Sequence, residues 1–149
     1  VGVVRRDPMA MLPFCGYNMA DYWGHWLSIG SKLKNPPKIF HVNWFRTGAD
    51  GKFLWPGFGD NLRVLIWMLQ RVKGTGKALE SPIGNLPTKD ALDLRGLDLP
   101  AGALDELLSV DKAAWQHELR DQRKFFDQFG THLPPELLKQ HDSIAARLS

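Results

Sequence analysis

The chain has 149 residues, of which 44% are hydrophobic and 23% charged, with a net charge of +3. This balance is typical of one globular domain, and no apolar run approaches the roughly 18 residues that a membrane-spanning helix needs. Cys15 is the single cysteine and cannot form an internal disulfide, and no signal peptide is recognisable, so we expect a cytoplasmic location.

The beginning of the chain predicts a strand, a loop and a helix. Val1–Val4 is typical of a buried strand already under way, and because the first residue is not Met we expect a fragment of a longer protein. Prolines and glycines keep residues 5–17 irregular. Apolar residues then recur at spacings of three and four, which predicts a helix capped by Asn18 and ended by Gly30.

The middle of the chain predicts a strand, a turn and a second helix. Lys38–Phe45 is rich in β-branched and aromatic residues, as strands are, and Asp50-Gly51 signals a tight reversal. Asp60 or Asn61 is suited to cap a helix that ends near Val72.

The rest of the chain predicts a meander followed by helices. Seven glycines and prolines in residues 73–100 leave room only for short strands or turns. Three helical stretches then start at Asp105, at Ser109-Val110-Asp111 and at Pro134-Pro135-Glu136, the longest running from Asp111 to Phe129. We therefore expect one mixed α and β (α+β) domain in three parts, 1–72, 73–100 and 101–149, with strands and loops first and a helical C-terminal third.

The first half carries most of the positive charge and most of the rings. Residues 1–75 contain ten Lys or Arg against four Asp or Glu, and twelve of the sixteen aromatics lie between Phe14 and Trp67. Rings on a glycine-bearing loop can stack on a planar base, which is worth roughly 1–3 kcal/mol per base. An asparagine amide such as that of Asn61 can match the mixed donor and acceptor edge of guanine. The alternative, that these rings simply form a core, stays open from composition alone.

Long strings in residues 5–100 resemble the C-terminal region of GTP-utilising phosphoenolpyruvate carboxykinases. From residue 101 onward the resemblance is one of length and helicity. The strings that carry it are Asp7-Pro8-Met9-Ala10-Met11, Gly16-Tyr17-Asn18, His25-Trp26-Leu27-Ser28, Pro37 to Arg46, Phe53 to Asn61, Arg63-Val64-Leu65, Pro82-Ile83-Gly84 and Leu92 to Leu97.

The resemblance implies a nucleotide-binding set in the middle of the chain. Its members are Phe45, Phe53, Phe58, Gly59, Asp60 and Asn61. Guanine would lie between Phe45 and Phe58, with Phe53 at its edge and Asn61 hydrogen-bonded to it. Phe14 corresponds, more weakly, to an aromatic residue near the phosphoenolpyruvate site. This chain departs from many members at two places, with Leu12 where they have Arg and Asp60 where they have Glu.

The resemblance also implies a reaction and its ligands. Members convert oxaloacetate and GTP to phosphoenolpyruvate, GDP and CO₂ in gluconeogenesis, as soluble monomers that use Mn²⁺ or Mg²⁺. Their phosphate loop, metal ligands and reactive cysteine have no counterpart here, since Gly74-Thr75-Gly76-Lys77-Ala78 lacks the spacing of a phosphate loop. We therefore expect no catalytic or metal-binding residue in this chain and no activity from it alone.

One rival interpretation comes from a different class of protein. A basic, ring-rich first half is also typical of modules that bind single-stranded nucleic acid. Such a module would show no preference for GTP and a steep dependence on salt. A purely structural scaffold would bind neither ligand.

Overall fold

A computed structural model of the protein describes residues 5–149, so the predicted strand at Val1–Val4 lies outside the described residues. Within that range the chain forms helices and one antiparallel strand pair, which confirms the mixed α and β class. The elements are α1 (Met19–Lys32), α2 (Asn61–Val72), β1 (Ala78–Ser81), β2 (Gly84–Pro87), α3 (Ala103–Leu108), α4 (Lys112–Asp127) and α5 (Pro135–Arg147), with short 3₁₀ turns at Pro8–Ala10, Leu12–Phe14 and Gly130–His132.

The chain forms two compact units. One contains the described chain up to Pro37 together with Asp111–Ser149, and the other contains Lys38–Val110. The nucleotide-binding set predicted from the sequence falls entirely in the second unit, whereas Phe14 belongs to the first. The division of one domain into three sequential parts stays a prediction.

The core of the first unit forms where α1 packs on α4. The Asn18 side chain caps α1 by accepting a hydrogen bond from the Ala20 amide at 2.9 Å, as the sequence predicts. Trp23 is buried on this helix, and its ring lies 4.7 Å from that of Phe129 in an edge-on contact. Phe125 and Phe126 at the end of α4 complete the cluster. Aromatic burial of this kind is the main source of stability in so small a unit.

Helix α4 is also tied to α5. Its N-terminus is capped by Asp111, which accepts from the Ala114 amide at 3.0 Å. The Nε2 of His141 in α5 donates to the carbonyl oxygen of Leu119, 2.9 Å away. The helical C-terminal third expected from the sequence is thus present.

The second unit is built around α2 and the β1–β2 hairpin. Trp67 of α2 is buried, and its Nε1 donates to the carbonyl oxygen of Lys77 at 2.8 Å, just before β1. The strands pair antiparallel, with Ala78 opposite Pro87. These are the short strands that the sequence predicts between residues 73 and 100.

One expectation for this unit is wrong and another holds only in part. Lys38–Phe45 forms no strand, because β-prone residues need a neighbouring strand to pair with, and no strand within residues 5–149 pairs with this segment. An isolated bridge occurs further on, between Thr47 and Phe53. Asp60 takes the N-cap position of α2, but its side chain makes no capping hydrogen bond and accepts instead from Nε of Arg63 at 2.9 Å.

Candidate functional site

The candidate site is the segment 44–61, here called the aromatic loop. Its first part closes on itself like a hairpin: the Leu54 amide donates to the Arg46 carbonyl and the Gly48 amide to the Lys52 carbonyl, both at 2.9 Å. Gly51 turns the chain with φ +76°, a left-handed conformation that favours glycine. The tight reversal predicted at Asp50-Gly51 is therefore present.

This closure brings two of the predicted stacking rings together. The ring centroids of Phe45 and Phe53 are 5.8 Å apart, with the planes tilted by 60°. These rings are 71% and 62% exposed, and Phe58 is 98% exposed. Phe58 has no ring partner among residues 5–149. Large apolar rings left this open are unlike a folded core and offer apolar surface to a ligand.

The base of the aromatic loop is firmly held. Leu54 and Trp55 are buried, and Nε1 of Trp55 donates to Oδ1 of Asn61 at 2.9 Å. The amides of Asp60 and Asn61 both donate to the carbonyl of Gly57, each at 3.0 Å, and Gly57 adopts φ +101°. The exposed rings are thus carried on a loop whose backbone is fixed by internal hydrogen bonds.

Gly59 occupies a different situation from Gly57. Its φ is not left-handed, and a Cβ placed on it would meet no atom of this chain within 4 Å. Neither backbone conformation nor packing therefore requires glycine at this position. A site that admits a ligand close to the backbone is a physical reason for glycine here.

The two arginines nearest the rings are engaged in structural contacts. Arg46 donates to the carbonyl of Ser109 at 3.1 Å and to its hydroxyl at 2.9 Å, which joins the loop to the end of α3. Arg63 binds Asp60 and the carbonyl of Asp93. These contacts give both guanidinium groups a role within the second unit.

The glycine-rich segment Gly74-Thr75-Gly76-Lys77-Ala78 closes the end of α2. The amides of Thr75 and Gly76 donate to the Gln70 carbonyl at 2.9 and 3.1 Å. Lys77 pairs with Asp90, and hydrogen bonds from Lys77 and then Thr88 lower the pKa of Asp90 to about 2. Residues 74–77 therefore form a turn that leads into β1, in agreement with the lack of phosphate-loop spacing.

Two further residues selected from the sequence lie in the first unit. Phe14 ends a 3₁₀ turn and is largely exposed, and the Cys15 thiol donates to the Tyr17 carbonyl at 3.4 Å.

In the part of the chain that is described, no three His, Cys, Asp or Glu side chains are grouped so as to hold a metal ion. No helix within residues 5–149 has the length and apolarity required to cross a bilayer.

Trp55 is the residue of this loop that sequence reasoning did not assign a role. The spacing of six residues to Asn61 resembles no regular periodicity, because Gly57 reverses the backbone between the two. A buried tryptophan needs an acceptor for its N–H, and a nearby Asn or Asp is the only signal that the sequence offers.

Known proteins match this chain along its whole length. The family model described as phosphoenolpyruvate carboxykinase C-terminal P-loop domain matches residues 1–147. Two bacterial relatives are named phosphoenolpyruvate carboxykinase (GTP). That of Treponema pallidum (strain Nichols) is 50% identical, in an alignment that covers 100% of this chain and 25% of the relative. That of Anaeromyxobacter dehalogenans (strain 2CP-1) is 50% identical, with 99% of this chain and 25% of the relative covered. The relative of the same name from Neocallimastix frontalis is 51% identical, with 99% of this chain and 24% of the relative covered. The chain thus spans about a quarter of the length of these relatives.

Proposed function

The chain belongs to the GTP-dependent phosphoenolpyruvate carboxykinase family, and from that premise we propose that it provides the guanine-binding part of an enzyme that converts oxaloacetate and GTP to phosphoenolpyruvate, GDP and CO₂. Phe45, Phe53, Phe58, Gly59, Asp60 and Asn61 form the nucleotide-binding set. Phe14 lies on the side of the organic acid substrate. The enzyme is a monomeric cytoplasmic protein of gluconeogenesis.

The observation that carries the proposal is the exposure of the three phenylalanines on a braced loop. Phe45, Phe53 and Phe58 are each more than 60% exposed, although the residues beneath them are buried and hydrogen-bonded. Leaving rings in water forgoes the roughly 25 cal/mol per Å² that their burial would contribute. Stacking on a purine base recovers part of this free energy.

The same loop offers room for the base. Gly59 lacks a side chain where this chain has no internal need for glycine, and Asn61 lies two residues further on with a half-buried amide. Stacking alone does not distinguish one base from another, so the amide supplies the choice of guanine.

The chemical step is assigned to other parts of the enzyme. The described residues group no ligands for Mn²⁺ or Mg²⁺, so they do not fit a metal centre, and the proposal places that ion's ligands outside this chain. The role of this chain is to bind and orient the nucleotide. The alternative of a single-stranded nucleic-acid-binding module gains no support from the family match or from the relatives.

The test measures phosphoenolpyruvate formation from oxaloacetate in the enzyme that contains this chain, with GTP or ATP as phosphoryl donor. We expect GTP to be used strongly in preference to ATP, and Phe58→Ala to raise KM for GTP with a smaller effect on kcat, because the ring touches the base and not the reacting phosphate. Ile39→Ala, an exposed apolar residue outside the loop, is the matched control. Equal use of ATP and GTP would contradict the proposal.

A further inference from the structure

The Trp55 indole fixes which way round the Asn61 amide lies. An indole N–H is a donor and never an acceptor, so the atom that faces it must be the carbonyl oxygen of the amide. The Nε1–Oδ1 distance of 2.9 Å satisfies this requirement. The other end of the amide, Nδ2, is therefore left as a pair of N–H donors.

The surroundings hold this arrangement in place. Trp55 is only 5% exposed, so its N–H has little access to water and losing its acceptor would leave a buried polar group unpaired. Asn61 is the first residue of α2, and its backbone N–H donates to the Gly57 carbonyl at 3.0 Å. The backbone bond fixes where the Asn61 side chain starts, and the indole bond fixes the orientation of its amide group.

The consequence for a purine base is a choice at its position 6. Guanine and hypoxanthine carry a carbonyl oxygen there, which accepts from an N–H donor, whereas adenine carries an amino group, which does not. A freely rotating amide could turn its oxygen to an amino group and accept adenine. An amide whose oxygen is already occupied by an indole is much less able to do so.

We propose that Trp55 is a positioning residue for base selection: by holding Oδ1 of Asn61, it makes the amide present Nδ2 to the base and so selects 6-oxopurine nucleotides over 6-aminopurine nucleotides. This inference rests on the proposed nucleotide-binding role of the aromatic loop. Trp55 acts through Asn61 and needs no contact with the base itself.

The experiment compares GDP, IDP and ADP binding by calorimetry in the enzyme that contains this chain, for wild type and Trp55→Phe. Phenylalanine keeps a buried ring and removes the N–H. We expect affinity for GDP and IDP to fall together by about three- to tenfold, which is the range of one net hydrogen bond, while ADP affinity stays the same or rises. The ratio of GDP affinity to ADP affinity, and that of IDP to ADP, should therefore decrease.

Trp67→Phe is the matched control. Trp67 is as buried as Trp55 and also donates its N–H, in this case to the Lys77 carbonyl at 2.8 Å, but it has no bond to Asn61. We expect it to lower thermal stability to a similar degree and to leave the GDP-to-ADP ratio unchanged. A general loss of structure would weaken the binding of GDP, IDP and ADP to the same extent in both variants.

A double-mutant cycle separates the inference from the function on which it rests. In an Asn61→Ala background, Trp55→Phe should no longer change the GDP-to-ADP ratio, because the amide that it orients is gone. If wild type prefers GDP but Trp55→Phe leaves the ratio intact, or changes it equally without Asn61, the positioning role is wrong and the proposed function stands. If wild type shows no preference for GDP over ADP, the proposed function fails and the inference fails with it.

Discussion

Arg6 binds Glu118 through both of its terminal nitrogens, with Nη1–Oε1 at 2.7 Å and Nη2–Oε2 at 3.2 Å. This parallel pair joins the segment before α1 to the middle of α4, 112 residues away in the chain. The hydrogen bonds from Arg6 hold the pKa of the Glu118 carboxyl below its usual value of 4.5. Gln122 on the next turn adds a further hydrogen bond to the same carboxylate.

The stabilisation from this pair should depend on pH in a defined direction. Because folding lowers the pKa of Glu118, the pair stabilises the fold fully above the unfolded pKa and progressively less as pH falls through the folded one. Glu118→Gln should cost at most about 1 kcal/mol at pH 7, since the carboxylate is partly exposed.

Urea unfolding of wild type and Glu118→Gln between pH 7 and pH 3 measures this. The difference in free energy of unfolding between wild type and the variant should be constant down to about pH 5. Below that pH it should shrink, because glutamate side chains ordinarily become protonated there. A difference that grew as the pH fell would contradict the assignment. Glu136→Gln, at the start of α5, is the control carboxylate.

The exposed rings should matter to nucleotide affinity and little to folding. Phe45→Ala and Phe58→Ala remove side chains that are 71% and 98% exposed, so the midpoint of thermal unfolding should barely change. Each should weaken GDP binding by roughly 1–3 kcal/mol if it stacks on the base. Calorimetry on the enzyme that contains this chain measures the affinity. Loss of thermal stability with unchanged affinity would show that the rings serve the fold instead.

Alanine should affect different properties at Gly59 and Gly76: nucleotide affinity at the first and stability at the second. Gly59→Ala adds a Cβ that meets nothing in this chain, so stability should hold while GDP affinity falls. Gly76→Ala places its Cβ 2.9 Å from the backbone nitrogen of Arg71, so the end of α2 must shift and stability should drop by about 1–3 kcal/mol. Urea unfolding and GDP titration of both variants measure the two quantities, and unchanged GDP binding by Gly59→Ala would count against a base lying over this glycine.

The α1–α4 core should be the most sensitive part of the first unit. Trp23→Ala removes the ring that contacts Phe125, Phe126 and Phe129, and a buried aromatic replaced by alanine typically costs 3–5 kcal/mol. Trp26→Ala, on the exposed side of the same helix, should cost clearly less. Denaturant unfolding of the two variants measures the difference, and equal losses would mean that Trp23 is not central to this core.

The starts of α1 and α4 are predicted well because capping signals are local, whereas α1 continues to Lys32, past the end that the sequence predicts at Gly30. The Asn18 cap and the apolar spacing that follows it place α1, and Asp111 does the same for α4, as the amide contacts of both caps confirm. Residue type alone predicts a strand at Lys38–Phe45, and this prediction is wrong because strand pairing depends on partners elsewhere in the chain. Asp60 precedes α2 as expected but makes no capping bond, because its carboxylate accepts from Arg63.

The candidate site shows the same limit of local information. Its residues are predicted from the resemblance of long stretches of sequence to GTP-utilising phosphoenolpyruvate carboxykinases, and their role in binding GTP stays a prediction. The contact between Phe45 and Phe53 follows from the reversal at Asp50-Gly51, which sequence can signal. The bond from Trp55 to Asn61 depends on the backbone path through Gly57, which no spacing rule describes.

The internal hydrogen bonds of the aromatic loop also bear on the thermodynamics of binding. Because internal hydrogen bonds close its hairpin and its Gly57 turn, the conformational entropy of ordering this backbone is lost during folding rather than on association. Binding to such a pre-organised loop should show a heat-capacity decrease set by ring burial alone. Loosening the loop, for instance by removing the Arg46 side-chain anchor to Ser109, would transfer part of that entropic cost to nucleotide binding.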